Sequence, residues 1–476
     1  MNLNDLSAAL AAAPAPLAQA FRTLHARRGE ALAIDERRAA LTTLEALVRD
    51  NADAFCRTLG EDFGARSPHE TRLLEVFPSL ESIRHARRHL RRWTRPQRHA
   101  TGLWFLPGRS RVVFQPLGVV GIVVPWNYPL YLAVGPIVPA LAAGNRILVK
   151  MSEAAPATGA LFARLVADRF DPALLAVVNG DAAVARAFVS LPFDHLLFTG
   201  STQVGRSVMR AAAENLTPVT LELGGKSPAI VGRGFDVREA ASRILYGKCL
   251  NAGQTCIAPD YALVPEERLE EFARASEQSV AALYPTLRDN PDYTAIVNAR
   301  HRDRLLGYLQ DAAAQGARVV EINPAGEDLA SSPKLAPHLL TGVTDAMRVM
   351  REEIFGPLLP VVPYRTLDDA LAYVNARPRP LALYVFENDA AEAERVIAGT
   401  TSGGVTVNET FLHVAQDDLP FGGVGASGMG EYHGRAGFET FSKRKAIFHQ
   451  SRLNGLKLFR PPYGPRFDAL ARWLMR

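Results

Sequence analysis

The sequence predicts an α/β chain of two or three domains built on doubly wound parallel sheets. Three observations carry this expectation. Apolar runs such as Val119-Val120-Gly121-Ile122-Val123-Val124 are continuous rather than alternating, as befits strands buried on both faces of a parallel sheet. These runs alternate with helix-length segments, the rhythm of β-α-β units. The chain, at 476 residues, exceeds what one core organises.

Taken in order, the spacing predicts a helix over residues 35–50, with Ile34, Leu41, Leu44, Leu47 and Val48 on one apolar stripe. Helical pattern continues to about residue 95 and ends in Arg84, Arg87, Arg88, Arg91, Arg92, Arg95 and Arg98. Many of these recur at i, i+3, i+4, which fits a solvated face or a subunit contact. Without aromatic interleaving or a binding motif they do not point to nucleic acid. Residues 100–118 alternate loosely around a Pro-Gly turn and read as a hairpin. The strand at 119–124 is followed by a helical run closed by Gly144-Asn145, a strand at 146–150, a helix at 157–169, and strands at 174–178 and 195–198.

After Phe198 come Thr199-Gly200-Ser201-Thr202-Gln203-Val204-Gly205 and a helix. A strand, a glycine turn and a helix N-terminus suit an anion. The spacing is neither the G-x-G-x-x-G fingerprint nor a P-loop, so taken alone the turn fits an ordinary βα connection better than a dinucleotide site. Residues 229–400 repeat the α/β rhythm as a second unit. The run Pro420-Phe421-Gly422-Gly423-Val424-Gly425-Ala426-Ser427-Gly428-Met429-Gly430 is too apolar for a linker and predicts backbone threaded against backbone. Residues 466–476 form a basic amphipathic helix with Phe467, Leu470, Ala471 and Leu474 on one face, expected to pack on the protein or a partner subunit rather than a membrane.

Composition narrows the function classes. A hydrophobic share of 48% with 22% charged residues excludes a disordered chain, and a net charge of +5 implies no polyanion partner. Cys56, Cys249 and Cys256 cannot build a disulfide framework; they fit a reducing cytoplasm or a catalytic thiol. No Cys and His pair has zinc-ligand spacing, so no metal is expected. Residues 112–145 carry no charge, but Pro116, Pro125, Pro129, Pro136 and Pro139 interrupt them, which predicts two buried elements and no membrane span. The N-terminus, with Asp5 early and Pro14 and Pro16 breaking its Ala-rich run, does not read as a signal peptide.

Two stretches carry chemistry. In Leu250-Asn251-Ala252-Gly253-Gln254-Thr255-Cys256-Ile257-Ala258-Pro259-Asp260-Tyr261 a cysteine sits at a predicted chain bend among small and polar residues. It fits a thiolate nucleophile whose own N–H helps hold an oxyanion, and equally a buried structural cysteine. In Thr220-Leu221-Glu222-Leu223-Gly224-Gly225-Lys226 a carboxylate ends an apolar strand. It is either a structural group satisfied by backbone N–H donors or a general base tuned by burial.

Together these pieces resemble the aldehyde dehydrogenase superfamily over nearly the whole chain. The matching blocks stand in the family's order: Pro125-Trp126-Asn127-Tyr128-Pro129, Phe198-Thr199-Gly200-Ser201, Leu221-Glu222-Leu223-Gly224-Gly225-Lys226, Gly253-Gln254-Thr255-Cys256, Glu353-Ile354-Phe355-Gly356-Pro357 and Pro420-Phe421-Gly422-Gly423. The finer match is to the class 3 branch and its coniferyl aldehyde group, through Asn251 to Tyr261 and through His413-Val414-Ala415-Gln416-Asp417-Asp418-Leu419-Pro420 running on to Gly430-Glu431-Tyr432-His433-Gly434. Pro136 departs from class 1 and 2 enzymes, which often carry lysine there.

The resemblance implies a Rossmann-type cofactor domain at 1–97 and 116–224, a second α/β catalytic domain at 225–440, a bridging β oligomerisation element at 98–115 and 441–450, and a tail at 451–476. It implies Cys256 as nucleophile, Glu222 as base and Asn127 as oxyanion donor. By the same resemblance NAD, with NADP possible, would lie against Trp126, Lys150, Glu153, Gly200, Ser201, Gly205, Glu353 and Phe355, and the aldehyde against Tyr128 and Phe421. A cytoplasmic homodimer oxidising coniferyl aldehyde or a similar aromatic aldehyde is implied. The alternatives are a class 3 enzyme for medium- or long-chain aliphatic aldehydes, a coenzyme-A-acylating relative, which typically lacks the carboxylate at Glu222, and a non-catalytic protein on the same scaffold, which would be expected to lose Cys256 or Glu222.

Overall fold

The computed structural model describes residues 10–455 and 459–475; residues 1–9, 456–458 and 476, at the start of the expected cofactor domain and within the expected tail, lie outside the described residues. In chain order the strands are β1 (Gln97–His99), β2 (Arg109–Pro116), β3 (Val119–Val123), β4 (Arg146–Lys150), β5 (Leu175–Val178), β6 (His195–Gly200), β7 (Val219–Leu223), β8 (Pro228–Val231), β9 (Tyr261–Pro265), β10 (Arg318–Glu321), β11 (His338–Thr341), β12 (Leu358–Tyr364), β13 (Ala382–Phe386), β14 (Gly404–Val407), β15 (Gly428–Met429) and β16 (Ser442–His449). They form three sheets: β15-β7-β6-β3-β4-β5, β10-β11-β12-β9-β8-β13-β14, and β1-β2-β16. The first two are parallel apart from their antiparallel edges β15 and β10, and the third is antiparallel.

Every residue of β3 and β4 is buried, which is why these strands read as unbroken apolar runs. In the first sheet the chain runs outward from β3 through β4 to β5, then returns to the other side of β3 through β6 to β7. That reversal makes a topological switch point between β3 and β6, and ligands of open α/β sheets bind outside the carboxyl ends of such strands. The segments leaving those ends carry Trp126-Asn127, Lys150, Gly200-Ser201 and Glu222.

The helix expected at 35–50 spans Ile34–Asp50, with Leu41, Leu44, Leu47 and Val48 buried and Ile34 exposed at its start. The hairpin expected at 100–118 is shifted. Its first arm is β1, before residue 100, because residues 103–106 turn through a short 3-10 segment and leave Leu103, Trp104, Phe105 and Leu106 in solvent. The arginine-rich helix Phe77–Trp93 turns Arg84 and Arg87 onto Glu45. The charge-free stretch divides among β2, β3 and the 13-residue helix Tyr131–Ala143; no helix among the described residues is long and apolar enough to cross a membrane.

The glycine-rich run does lie against backbone: a Cβ on Gly428, whose φ is +142°, would stand 2.1 Å from the Leu221 carbonyl oxygen. The helix near the C-terminus, Pro465–Leu474, buries none of its residues. Trp473 meets Trp104 edge-on at 5.1 Å, and Trp473 and Leu474 stay exposed. The expected packing on the protein's own surface is therefore slight, since the cluster it meets is itself solvent-facing.

Candidate active site

The helix Val237–Cys249 ends in a turn, Leu250–Gly253, in which Asn251, Ala252 and Gly253 all take left-handed backbone angles, φ 52°, 51° and 74°. Only the glycine does so without cost. A Cβ at Gly253 would fall 2.3 Å from the Gly356 carbonyl oxygen, so the turn also requires glycine for space. Surrounding bonds hold it. Glu70 Oε2 accepts the Asn251 N–H at 3.0 Å, and Gln254 donates to the Asn251 and Ala295 carbonyls at 2.9 and 3.0 Å while accepting the Val297 N–H at 3.0 Å.

This turn presents Cys256. Cys249 and Cys56 are buried, whereas Cys256 keeps partial exposure. Burial, with the Glu353 and Glu222 charges beside it, pushes its thiol up to about 12, while the Cys256 and Ile257 N–H groups pull the other way. The resting group is a neutral thiol, and its attack requires proton removal. Cys249, pushed to about 12 chiefly by burial, with Lys248 opposing and Glu70 adding to the shift, is fully buried and is a core residue.

Asn127 is buried beside the same loop, its Nδ2 donating to the Gln254 carbonyl at 3.2 Å, and Tyr128 shares a 2.7 Å hydroxyl contact with Thr255. The fold thus brings the Asn127 side-chain amide to the loop that carries Cys256, whose own N–H and that of Ile257 lie beside the thiol. Glu222 lies on β7 opposite Gly428. The sequence left open a structural carboxylate satisfied by backbone donors. The structure overturns that alternative, because both carboxylate oxygens are buried without a hydrogen-bond partner. Burial first, and then Glu431, holds its carboxyl well above the usual range. A buried carboxyl with free oxygens, held above the ordinary carboxylate range, is suited to proton transfer.

The remaining expected residues gather around the carboxyl ends of β3, β4, β6 and β7. Lys150 is buried and donates to Glu153 at 2.9 Å. Gly200 ends β6, and Ser201 caps the helix Thr202–Ala213 by accepting the Val204 N–H at 3.4 Å. Gly205 admits Leu223 so closely that a Cβ would meet it at 2.6 Å. Trp126 meets Phe355 edge-on at 5.4 Å, and Phe355 is itself left-handed at φ 50°. Glu353 lies over Gly224, where a Cβ would stand 2.0 Å from its Oε2, while its Oε1 is buried without a partner. Burial, then Asp260, pushes Glu353 to about 8.

These residues fit a nicotinamide dinucleotide: an orphaned carboxylate oxygen for a ribose hydroxyl, a capped helix N-terminus for phosphate, and a Lys-Glu pair for a second ribose. Phe421 stacks on His433 at 5.0 Å, and Tyr131 approaches His433 Nε2 at 3.4 Å. His433 stands in the block shared with the coniferyl aldehyde group but carries no expected role, and none is expected of Tyr131 or of Arg66, Glu70 and Glu75, which brace Asn127 and the thiol loop. Tyr131, Arg66, Glu70 and Glu75 come from distant segments, and no local pattern marks them.

Comparison with known proteins agrees with this arrangement. The aldehyde dehydrogenase family profile matches residues 4–447. A probable coniferyl aldehyde dehydrogenase of Pseudomonas aeruginosa is 56% identical over 430 residues, 90% of each chain. The substrate-bound AldH of Staphylococcus aureus superposes with a TM-score of 0.90 at 37% identity, covering 96% of this chain and 99% of that one. A Mycobacterium tuberculosis aldehyde dehydrogenase complexed with NAD+ superposes with a TM-score of 0.82 at 30% identity, covering 91% and 90%. With a profile spanning most of its length and a relative identical at more than half of the aligned positions, this chain belongs to the aldehyde dehydrogenase family, enzymes that oxidise aldehydes with a nicotinamide cofactor.

Proposed function

We propose that the chain oxidises coniferyl aldehyde, or a closely similar aromatic aldehyde, to its carboxylic acid. The observation that carries the hydrolytic chemistry is the unpartnered Glu222 carboxyl in the same site as Cys256 and Asn127. Cys256 gives up its proton to water and its sulfur bonds to the aldehyde carbon. The carbonyl oxygen becomes an oxyanion held by the Asn127 amide and the Cys256 N–H. A nicotinamide held by these residues would supply a hydride acceptor for that carbon, and loss of the hydride would leave a thioester on Cys256. Glu222 takes a proton from water as the oxygen attacks the thioester, the C–S bond breaks, and the acid leaves.

The aromatic preference rests on the cluster of packed rings of Phe421, Tyr432, His433 and Tyr131 and on the likeness to the probable coniferyl aldehyde dehydrogenase of Pseudomonas aeruginosa. NAD is the preferred dinucleotide and NADP is usable, because Glu153 stands beside Lys150. A homodimer in the cytoplasm completes the reading. Its support is an exposed set of apolar residues, Leu103, Trp104, Phe105, Leu106, Phe448 and Trp473, in which Trp104 meets Trp473 and Phe105 meets Phe448, and three cysteines without a disulfide. Cofactor reduction measured across phenylpropenals, benzaldehydes and C2–C12 alkanals tests the substrate. A kcat/KM for hexanal or decanal equal to or above that for coniferyl aldehyde would move the enzyme to aliphatic substrates.

A further inference from the structure

We propose that Arg66 is a positioning residue for the oxyanion donor, acting through the backbone of Asn127; this rests on Asn127 holding the oxyanion. Arg66 Nη1 donates to the Asn127 carbonyl oxygen at 2.8 Å. Its Nη2 forms an ion pair with Glu75 Oε1 at 3.0 Å, and neither side chain is exposed at all. Glu75 Oε2 in turn accepts the Leu130 and Tyr131 N–H groups at 2.7 and 3.2 Å. One buried ion pair therefore grips the turn that carries Asn127 at both of its ends.

The guanidinium is fixed in its plane between rings, 4.7 Å from the Phe63 centroid and 5.0 Å from that of Tyr128. The Asn127 carbonyl takes a second donor, Asn251 Nδ2 at 3.1 Å, and that same Nδ2 reaches the Gln254 carbonyl at 3.1 Å. Gln254 also accepts from the Asn127 side chain. Arg66 thus tethers the oxyanion donor to the loop bearing the nucleophile, while touching no reacting atom.

A buried ion pair is a poor way to gain stability, since desolvation consumes most of the attraction. It is a good way to fix geometry, because the planar guanidinium fork sets one nitrogen against the Glu75 carboxylate and hydrogen-bonds the Asn127 carbonyl with another. The single ammonium of lysine cannot hold both in the same arrangement. The direction of the Asn127 amide follows from its backbone, and a misplacement of about 1 Å at a reacting centre costs on the order of 10²-fold in rate.

The test is a double-mutant cycle read by rapid mixing. NADH formation in a single turnover is followed for wild type, Arg66→Lys, Asn127→Ala and the double variant, with NAD affinity measured alongside. Arg66→Lys keeps a positive charge opposite Glu75. It should slow hydride transfer roughly 10- to 100-fold and leave NAD affinity unchanged, and the double variant should be no slower than Asn127→Ala alone. Glu75→Gln, which keeps an acceptor for the Leu130 and Tyr131 amides, is run through the same cycle, so that a folding failure of one variant leaves the other.

Wild-type rates in the Arg66 and Glu75 variants, or slowing that multiplies with that of Asn127→Ala, would overturn the positioning role while leaving the Asn127 assignment standing. An Asn127→Ala enzyme as fast as wild type would overturn that assignment, and the role of Arg66 with it.

Discussion

Gly422 passes so close to Glu222 that a β-carbon on it would stand 3.2 Å from Glu222 Oε1, and only 2.0 Å from the Gly430 carbonyl oxygen. The first approach sets the wall of the base; the second leaves the chain no room to retreat. Gly422→Ala should therefore displace the backbone beside Glu222 and lower kcat/KM by about 10²-fold. Gly425→Ala is the control for this loop. No atom lies near its β position, although its φ of +67° makes alanine strained there, so it should cost some thermal stability and little activity. Equal activity losses in the two variants would show that crowding at Gly422 is not the cause.

Cys256→Ala should abolish aldehyde oxidation and leave NAD affinity nearly intact, as measured by calorimetry or fluorescence titration, because the thiol is needed only for the covalent step. Cys249→Ala should keep most activity and lose some stability, since it removes a fully buried sulfur. Turnover persisting in Cys256→Ala would assign the nucleophile elsewhere.

Glu153 is half-exposed and paired with the buried Lys150 at 2.9 Å. An adenosine ribose placed there would find a carboxylate acceptor, and a 2′-phosphate would find a like charge. Like charges in contact cost several kcal/mol, so Glu153→Ser should raise the NADP-to-NAD ratio of kcat/KM at least ~10-fold. An unchanged ratio would show that Glu153 does not face the ribose.

Much of the scaffold was legible in the sequence for a physical reason. Strands such as β3 and β4 are buried on both faces, so their apolar runs survive without any knowledge of neighbours. The two-residue β15 carries no period, and its pairing with β7 crosses some two hundred residues of chain. The arms of the hairpin at β1 and β2 were shifted because the apolar residues 103–106 face solvent, contrary to what their composition suggests. Around the site, the motifs marked Glu222 and Cys256 as candidates but left each with a structural alternative. The orphaned oxygens of Glu222 and the polarised surroundings of Cys256 exist only once distant segments meet. The same holds for Arg66 and Glu70, whose partners lie 61 and 181 residues away.

Glu70 gives the enzyme a pH-dependent stability. Burial raises its carboxyl from 4.5 to about 7, against the pull of Arg66, while it accepts the Asn251 N–H and the Thr294 hydroxyl. Between these two values the folded chain retains a proton that the unfolded chain has released. Stability from this group is therefore full below about pH 4.5 and is lost as pH rises through 7, by roughly 3 kcal/mol in all. Glu70→Gln removes that titration. Its melting temperature should match wild type near pH 4.5 and exceed it progressively up to pH 8; a constant difference across that range would show that Glu70 does not titrate there.

Glu222 decides between hydrolysis of the thioester and its transfer elsewhere. Glu222→Gln keeps the shape of the side chain but cannot accept a proton from water. If deacylation is its step, hydride transfer runs once per active site and stops at the thioester, and steady-state turnover falls by about 10²–10⁴-fold. Rapid mixing of enzyme, NAD and coniferyl aldehyde should show a burst of NADH near one per subunit and then a slow phase, with the acyl group found on Cys256 by mass spectrometry of the quenched protein. Because burial holds the Glu222 carboxyl above the ordinary range, the wild-type steady rate should rise with pH well beyond the pH at which an exposed glutamate is already ionised, and that rise should vanish in the variant. Loss of the burst together with the steady rate would place Glu222 before hydride transfer, removing the proton that makes the Cys256 thiol, pushed to about 12 in the resting site, a nucleophile.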